Sequence, residues 1–133
     1  MKTINLTHEF AEIQISTKHL TTLINAGAAV VDNISQYEIH ARIGVFIEEF
    51  KAFFELLSLV KSQLNLDNSK NIKQYILTFS YDDLLLLNQT LNEVCNGFFL
   101  QEFESQIGVP REEAYLILMF TNELIEKMES NCY

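Results

Sequence analysis

Apolar residues recur along the 133-residue chain with two different periods. Near the start, Ile4 and Leu6, then Ile13 and Ile15, alternate with polar neighbours. Alternation sends successive side chains to opposite faces of an extended chain, so short strands are predicted over about 2–7 and 11–16. From Leu20 the period changes. Leu20, Leu23, Gly27, Val30 and Ile34 are spaced 3, 4, 3 and 4 apart, which is one face of a helix. Ser16 precedes that helix as an N-cap, and Asp32-Asn33 falls in its last turn. Ser35 and Glu38 have capping-box spacing and predict a short helix from Gln36 to about Arg42, ended by Gly44. A long helix is predicted next, from about Val45 to Leu64. Its Phe46, Phe50, Phe53, Leu57, Val60 and Leu64 make an apolar seam, which Ile47, Phe54, Leu56 and Leu59 widen. A helix so apolar is expected in the core or at a dimer interface.

The same order returns after a polar linker, 65–72. Gln74 to Phe79 reads as a third strand, and Ser80 caps a helix with Asp83 three residues on. Leu84, Leu87, Leu91, Val94 and Phe98 repeat the 3, 4, 3, 4 face, and Asn96-Gly97 is a stop. A short element over about 101–106 leads to Gly108, and Pro110 opens a last helix. In that helix Ala114, Ile117, Leu118, Thr121, Leu124, Ile125 and Met128 are predicted to face inward. Tyr115, Leu116, Met119 and Phe120 make its middle apolar nearly all round, so it calls for cover on two sides. Shifted by 64 positions, residues 16–49 meet 80–113 with 10 identities in 34, among them Ile43-Gly44-Val45 on Ile107-Gly108-Val109. Chance would supply roughly two, at ordinary residue frequencies. The expectation is one α+β, predominantly helical domain, with a small antiparallel sheet. It is read as a tandem pseudo-symmetric repeat (strand, helix, short helix, long helix, twice) over about 1–64 and 73–129. An all-α chain is the alternative.

Charge changes the picture more than composition does. Net charge is −9. Residues 1–80 hold eight acids and seven bases, whereas residues 81–133 hold ten acids and two bases, a net of −8. An acidic half repels nucleic acid and anionic lipid and attracts basic surfaces. The longest unbroken apolar runs, Leu84–Leu87 and Tyr115–Phe120, fall well short of the roughly 20 residues of a membrane span, so no membrane association is expected. Two cysteines, Cys95 and Cys132, make no disulfide framework and point to a reducing cytoplasm, with Cys95 a buried inert thiol.

Little in the sequence is laid out for catalysis. His8, His19 and His40 have no zinc-ligand spacing, and no Glu-x-x-His accompanies the repeated acids Glu38/Glu102 and Glu48-Glu49/Glu112-Glu113. Helix-start electrostatics explain those glutamates. Ser16 and Ser80 lack the flanking glycines of a nucleophile elbow, and no glycine loop cradles phosphate. No enzyme activity, metal or cofactor is expected.

The segment from Phe103 through Ile107-Gly108-Val109-Pro110 to Leu118 resembles a helix-turn-helix over some 20 residues. That resemblance implies a second helix whose first turn meets bases and phosphates, with Arg111 as the reader. Glu112 and Glu113 stand at that same end and oppose phosphate, so nucleic acid is not the expected partner. The leading expectation is a small acidic cytoplasmic protein-binding module, inhibitor- or adaptor-like and homodimeric, which is similar to nuclease immunity proteins and some antitoxins in charge and size alone. Its acidic C-terminal repeat docks a basic protein through Phe99, Glu102, Phe103, Glu104, Arg111, Glu112, Glu113 and Tyr115. A nucleic-acid regulator and a ligand-sensing dimer are the alternatives.

Overall fold

A computed structural model describes residues 1–67 and 74–130. Three strands, β1 (Lys2–Leu6), β2 (Phe10–Ser16) and β3 (Gln74–Ser80), form one antiparallel sheet in the order β1-β2-β3. Six α-helices accompany it: α1 (Thr17–Asn33), α2 (Gln36–Ile43), α3 (Ile47–Asp67), α4 (Tyr81–Asn92), α5 (Phe103–Ile107) and α6 (Arg111–Ser130). The fold is α+β, and the sheet removes the all-α alternative. α3 continues through 65–67, where a linker was expected, and the rest of that linker lies outside the described residues.

Alternation in the strands decides which face is covered. Ala11 lies opposite Phe79, Ile13 opposite Leu77 and Ile15 opposite Tyr75, and this face joins the core. The other face carries Phe10 and Ile76 at 50% and 59% exposure. Leu20, Leu23 and Val30 of α1 and Leu84, Leu87 and Leu91 of α4 are buried in the same core cluster as the inner sheet face. α2 packs on α4 and α5 on α1, so each short helix reaches across to the other end of the chain. Asn25 fastens one of these crossings by donating through Nδ2 to the Ile107 carbonyl over 3.0 Å.

Helix ends follow their local chemistry. Ser16, Ser35 and Ser80 each accept the N–H three residues on. The reciprocal box closes at Ser80, whose own N–H donates to Asp83 Oδ2 over 2.9 Å. At Ser35 it does not: the Glu38 carboxylate accepts from the Ser35 hydroxyl over 3.4 Å and meets Arg42 with its other oxygen. Gly44 and Gly108 end α2 and α5 at φ +92° and +100°, a conformation a Cβ disfavours. Gly27 has a different reason: a Cβ there would meet the Phe54 ring at 2.5 Å, so α1 and α3 approach through that notch.

The seam of α3 differs from its prediction. Phe50, Phe54 and Leu57 are buried, Phe53 and Val60 are half-buried, and Phe46, Leu56 and Leu59 are exposed at 63%, 59% and 60%. The left-handed turn at Gly44 delays the helix to Ile47. Phe46 therefore precedes it and stacks on the His40 ring at 4.3 Å. The notch at Gly27 then selects Phe54 rather than Phe53 for the interior. α6 behaves as predicted, with all seven inward residues buried.

Candidate functional site

The acidic C-terminal region is built by α5, the left-handed turn at Gly108 and the first half of α6. Of the eight residues assigned to it from sequence, five have open side chains. Phe99, just before α5, is 80% exposed, and Tyr115 is 45% exposed. Glu102, Glu104 and Glu112 are exposed, and their side chains make no hydrogen bond or ion pair among the described residues.

The other three serve the fold. Arg111 turns inward: its Nη1 donates to the Cys95 carbonyl over 2.6 Å, and its guanidinium lies 4.5 Å from the centre of the Phe103 ring. This holds Phe103 half-buried and leaves Arg111 badly placed to meet a phosphate. Glu113 turns toward α1. The Nε2–H of His19 donates to its Oε2 over 2.9 Å, and Lys18 Nζ lies 3.4 Å from the same oxygen. The hydrogen bond from His19, with help from Lys18, holds the Glu113 carboxyl below the usual carboxylate range, against a smaller opposing effect of burial. His19 Nδ1 is buried without a partner among the described residues, so the ring is held by one polar contact. Charges at a helix start look solvated in sequence. Only the tertiary structure, which brings the first turn of α6 beside Lys18 and His19, shows that one of the two glutamates is paired within the chain.

Sequence reasoning missed Glu93. α4 does not stop at Asn96-Gly97 by simple fraying; it widens into a π-helical turn over Glu93–Gly97. The wider turn tucks Glu93 inside at 8% exposure, where its Oε1 receives Arg42 Nη1 over 3.0 Å. Arg42 Nη2 holds Glu38 at the same distance. Gly97 leaves room for this carboxylate, since a Cβ there would displace Glu93 Oε1 from its place beside Arg42. The signal available was the unusual Glu in an apolar helical pattern, but its partner lies 51 residues away. Next to it, burial pushes the Cys95 thiol up, and nearby Arg111 only partly opposes that.

Among the described residues no three His, Cys, Asp or Glu converge as a metal site would need. Glu38 is held by Arg42 and Glu113 by Lys18, cations of the chain itself. No helix among the described residues is long and apolar enough to cross a membrane. No protein-family model, curated protein or solved structure matches the chain.

The region presents three carboxylates without partners among the described residues and two exposed aromatic rings, and α6 adds an outward band of Leu116 and Met119 at 64% and 47% exposure. Aromatic and apolar anchors within a charged rim are the parts of an interface.

Proposed function

We propose that the chain is a cytoplasmic protein-binding module that docks a basic protein through the acidic face of its C-terminal half. The observation that carries this reading is that Glu102, Glu104 and Glu112 are exposed and unpaired among the described residues, in the same stretch of chain as exposed Phe99 and Tyr115. Unpaired carboxylates on one surface steer a cationic partner, and exposed rings then supply the apolar contact.

The two halves are read as a tandem duplication about a pseudo-dyad. Their elements support this: β2, α1 and the start of α3 at residues 10, 17 and 47 recur as β3, α4 and α6 at 74, 81 and 111. The strand register supports it too. Ile13 pairs with Leu77, its own counterpart 64 positions on, while Glu12 pairs with Thr78 and Gln14 with Ile76, as a two-fold axis between them requires. On this reading the scaffold is common and the binding role belongs to what differs. Lys18 and His19 correspond to Asp82 and Asp83, and Lys51, Ala52 and Glu55 correspond to Tyr115, Leu116 and Met119.

A homodimer is proposed through α3 rather than α6. Leu56 and Leu59 are exposed one turn apart, whereas two α6 helices face to face would oppose their glutamates.

The test is capture from nuclease-treated native lysate by the whole chain and by its Glu102→Gln, Glu104→Gln, Glu112→Gln variant. A basic protein held by the wild type at low salt, released at high salt and lost from the variant is expected. Equal retention by both baits refutes the acidic-face reading.

A further inference from the structure

We infer that the partner's docking element is an amphipathic helix with a basic rim, seated lengthwise on α6; this rests on the acidic-face reading above and specifies its occupant. α6 buries one side completely and turns another to solvent. The outward side carries Glu112, then Tyr115, Leu116 and Met119, then Glu123 and Glu126, all exposed. At 100° per residue, Glu112, Leu116, Met119 and Glu123 fall within about 60° of one another, so apolar and acidic positions share one stripe.

The apolar band is not needed by the scaffold. The matching outward positions of α3 are Lys51, Ala52 and Glu55. Large apolar side chains at 64% and 47% exposure therefore stand where an equivalent helix is satisfied with small or charged ones. Beside the band runs an open groove of about 430 Å³ between Met1, His19, Glu113, Leu116, Ile117 and Phe120. Its walls are mostly apolar, and its one carboxylate is already held by His19 and Lys18. The groove thus suits an apolar anchor side chain, and the cationic groups of the partner are left to the ends of the band.

The charges fix the length and chemistry of the occupant. Glu112 and Glu123 are eleven residues apart, about 16 Å at 1.5 Å per residue. A helix lying along α6 meets both with Lys or Arg eleven positions apart, and it places apolar anchors between them at i, i+3/i+4 and i+7. A second copy of the chain presenting its own α6 does not fit this description, because it would bring Glu against Glu.

The probe is a labelled 18-residue peptide of Leu, Ala, Lys and Arg built to that pattern, beside a scrambled peptide of equal composition without an apolar face. Anisotropy at about 50 mM salt, where surface charges are least screened, reads binding to the whole chain. The patterned peptide is expected to bind at least tenfold more tightly than the scrambled one. Leu116→Ser with Met119→Ser is expected to remove at least tenfold of that affinity with the circular dichroism unchanged, since both side chains face water. Leu59→Ser on α3 is expected to leave it intact.

Equal binding of the two peptides, weakened by the triple Gln variant, overturns the helix inference and leaves the acidic-face reading standing. Tight binding indifferent to Leu116→Ser and Met119→Ser overturns the α6 site. Binding of neither peptide overturns both readings. A self-associated chain that dissociates on Leu116→Ser with Met119→Ser, in sedimentation velocity, assigns the face to a second copy and overturns the proposed occupant.

Discussion

Replacing Arg42 by Met removes the one cation that reaches Glu93 among the described residues. The Glu93 side chain is 10% exposed and the Arg42 side chain 38%, so the pair lies between a surface bridge and a buried one. Exposed pairs contribute about 0–1 kcal/mol, and breaking a fully buried pair costs about 3–5 kcal/mol. Water entering where the guanidinium was will reach part of the carboxylate. We therefore place the cost of Arg42→Met at about 2 kcal/mol, close to that of a charged group left without its hydrogen bond. For a chain of this length that is a fall of about 8 °C in Tm. Glu38, also bound to Arg42, is 48% exposed and adds little. Glu93→Gln keeps the shape and should cost about 1 kcal/mol, because the orphaned Arg42 can turn outward to Glu38 and solvent. The double variant has no buried charge, so its cost should fall short of the sum by about 1 kcal/mol. Urea unfolding followed at 222 nm for the four proteins gives that coupling, and 1 M salt should reduce it only partly. Costs that add within about 0.3 kcal/mol would refute a direct interaction between α2 and the π-turn.

Other outcomes follow from named contacts. Gly27→Ala drives a Cβ into the Phe54 ring and should cost about 1–3 kcal/mol, whereas Gly44→Ala meets open space and should cost about 1–2 kcal/mol from backbone strain alone; urea midpoints separate the two, and a neutral Gly27→Ala would refute the notch. The Glu113 carboxyl is held low by His19, so its stabilising effect is fully present above the ordinary carboxylate range and is lost as pH falls through its lowered value. Glu113→Gln should therefore flatten the acid limb of stability against pH, and an unchanged limb would refute the His19 contact. Burial raises the Cys95 thiol, so in a Cys132→Ser background native protein should react slowly with a disulfide reagent and unfolded protein quickly; fast native labelling would show the π-turn to be open.

Periodic features were legible in the sequence. The inward face of α6 and those of α1 and α4 repeat every three or four residues, and burial of such a face is what makes those helices stable in the fold. The serine caps were legible because the hydroxyl bonds a neighbour only three residues away. What failed depended on distant chain. Phe46 reads as part of a seam until Gly44 delays the helix that would have carried it. Glu113 and Glu112 are adjacent and chemically alike, yet one meets His19 at the start of α1 and the other is left exposed, because only one side of the first turn of α6 faces the chain. Arg111 reads as a reader of phosphate, and its real contact is the Cys95 carbonyl at the end of another helix. The acidic character of the face was legible from composition, but which carboxylates remain unpaired there depends on the tertiary packing.

The sheet also sets a timetable for synthesis. β2 is the middle strand: β1 pairs with it across a short turn, and β3 pairs with it only after about 60 further residues have been made. At roughly 5–20 residues per second that interval is about 3–12 s. Throughout it, one edge of β2 has unpaired backbone groups, and Ile13 and Ile15 lack the Leu77 and Tyr75 that will lie opposite them. An open edge beside apolar side chains is a template for pairing with other chains. The first half therefore leaves the ribosome with its central strand short of a neighbour, and the speed at which the second half follows governs how long the nascent chain is open to aggregation.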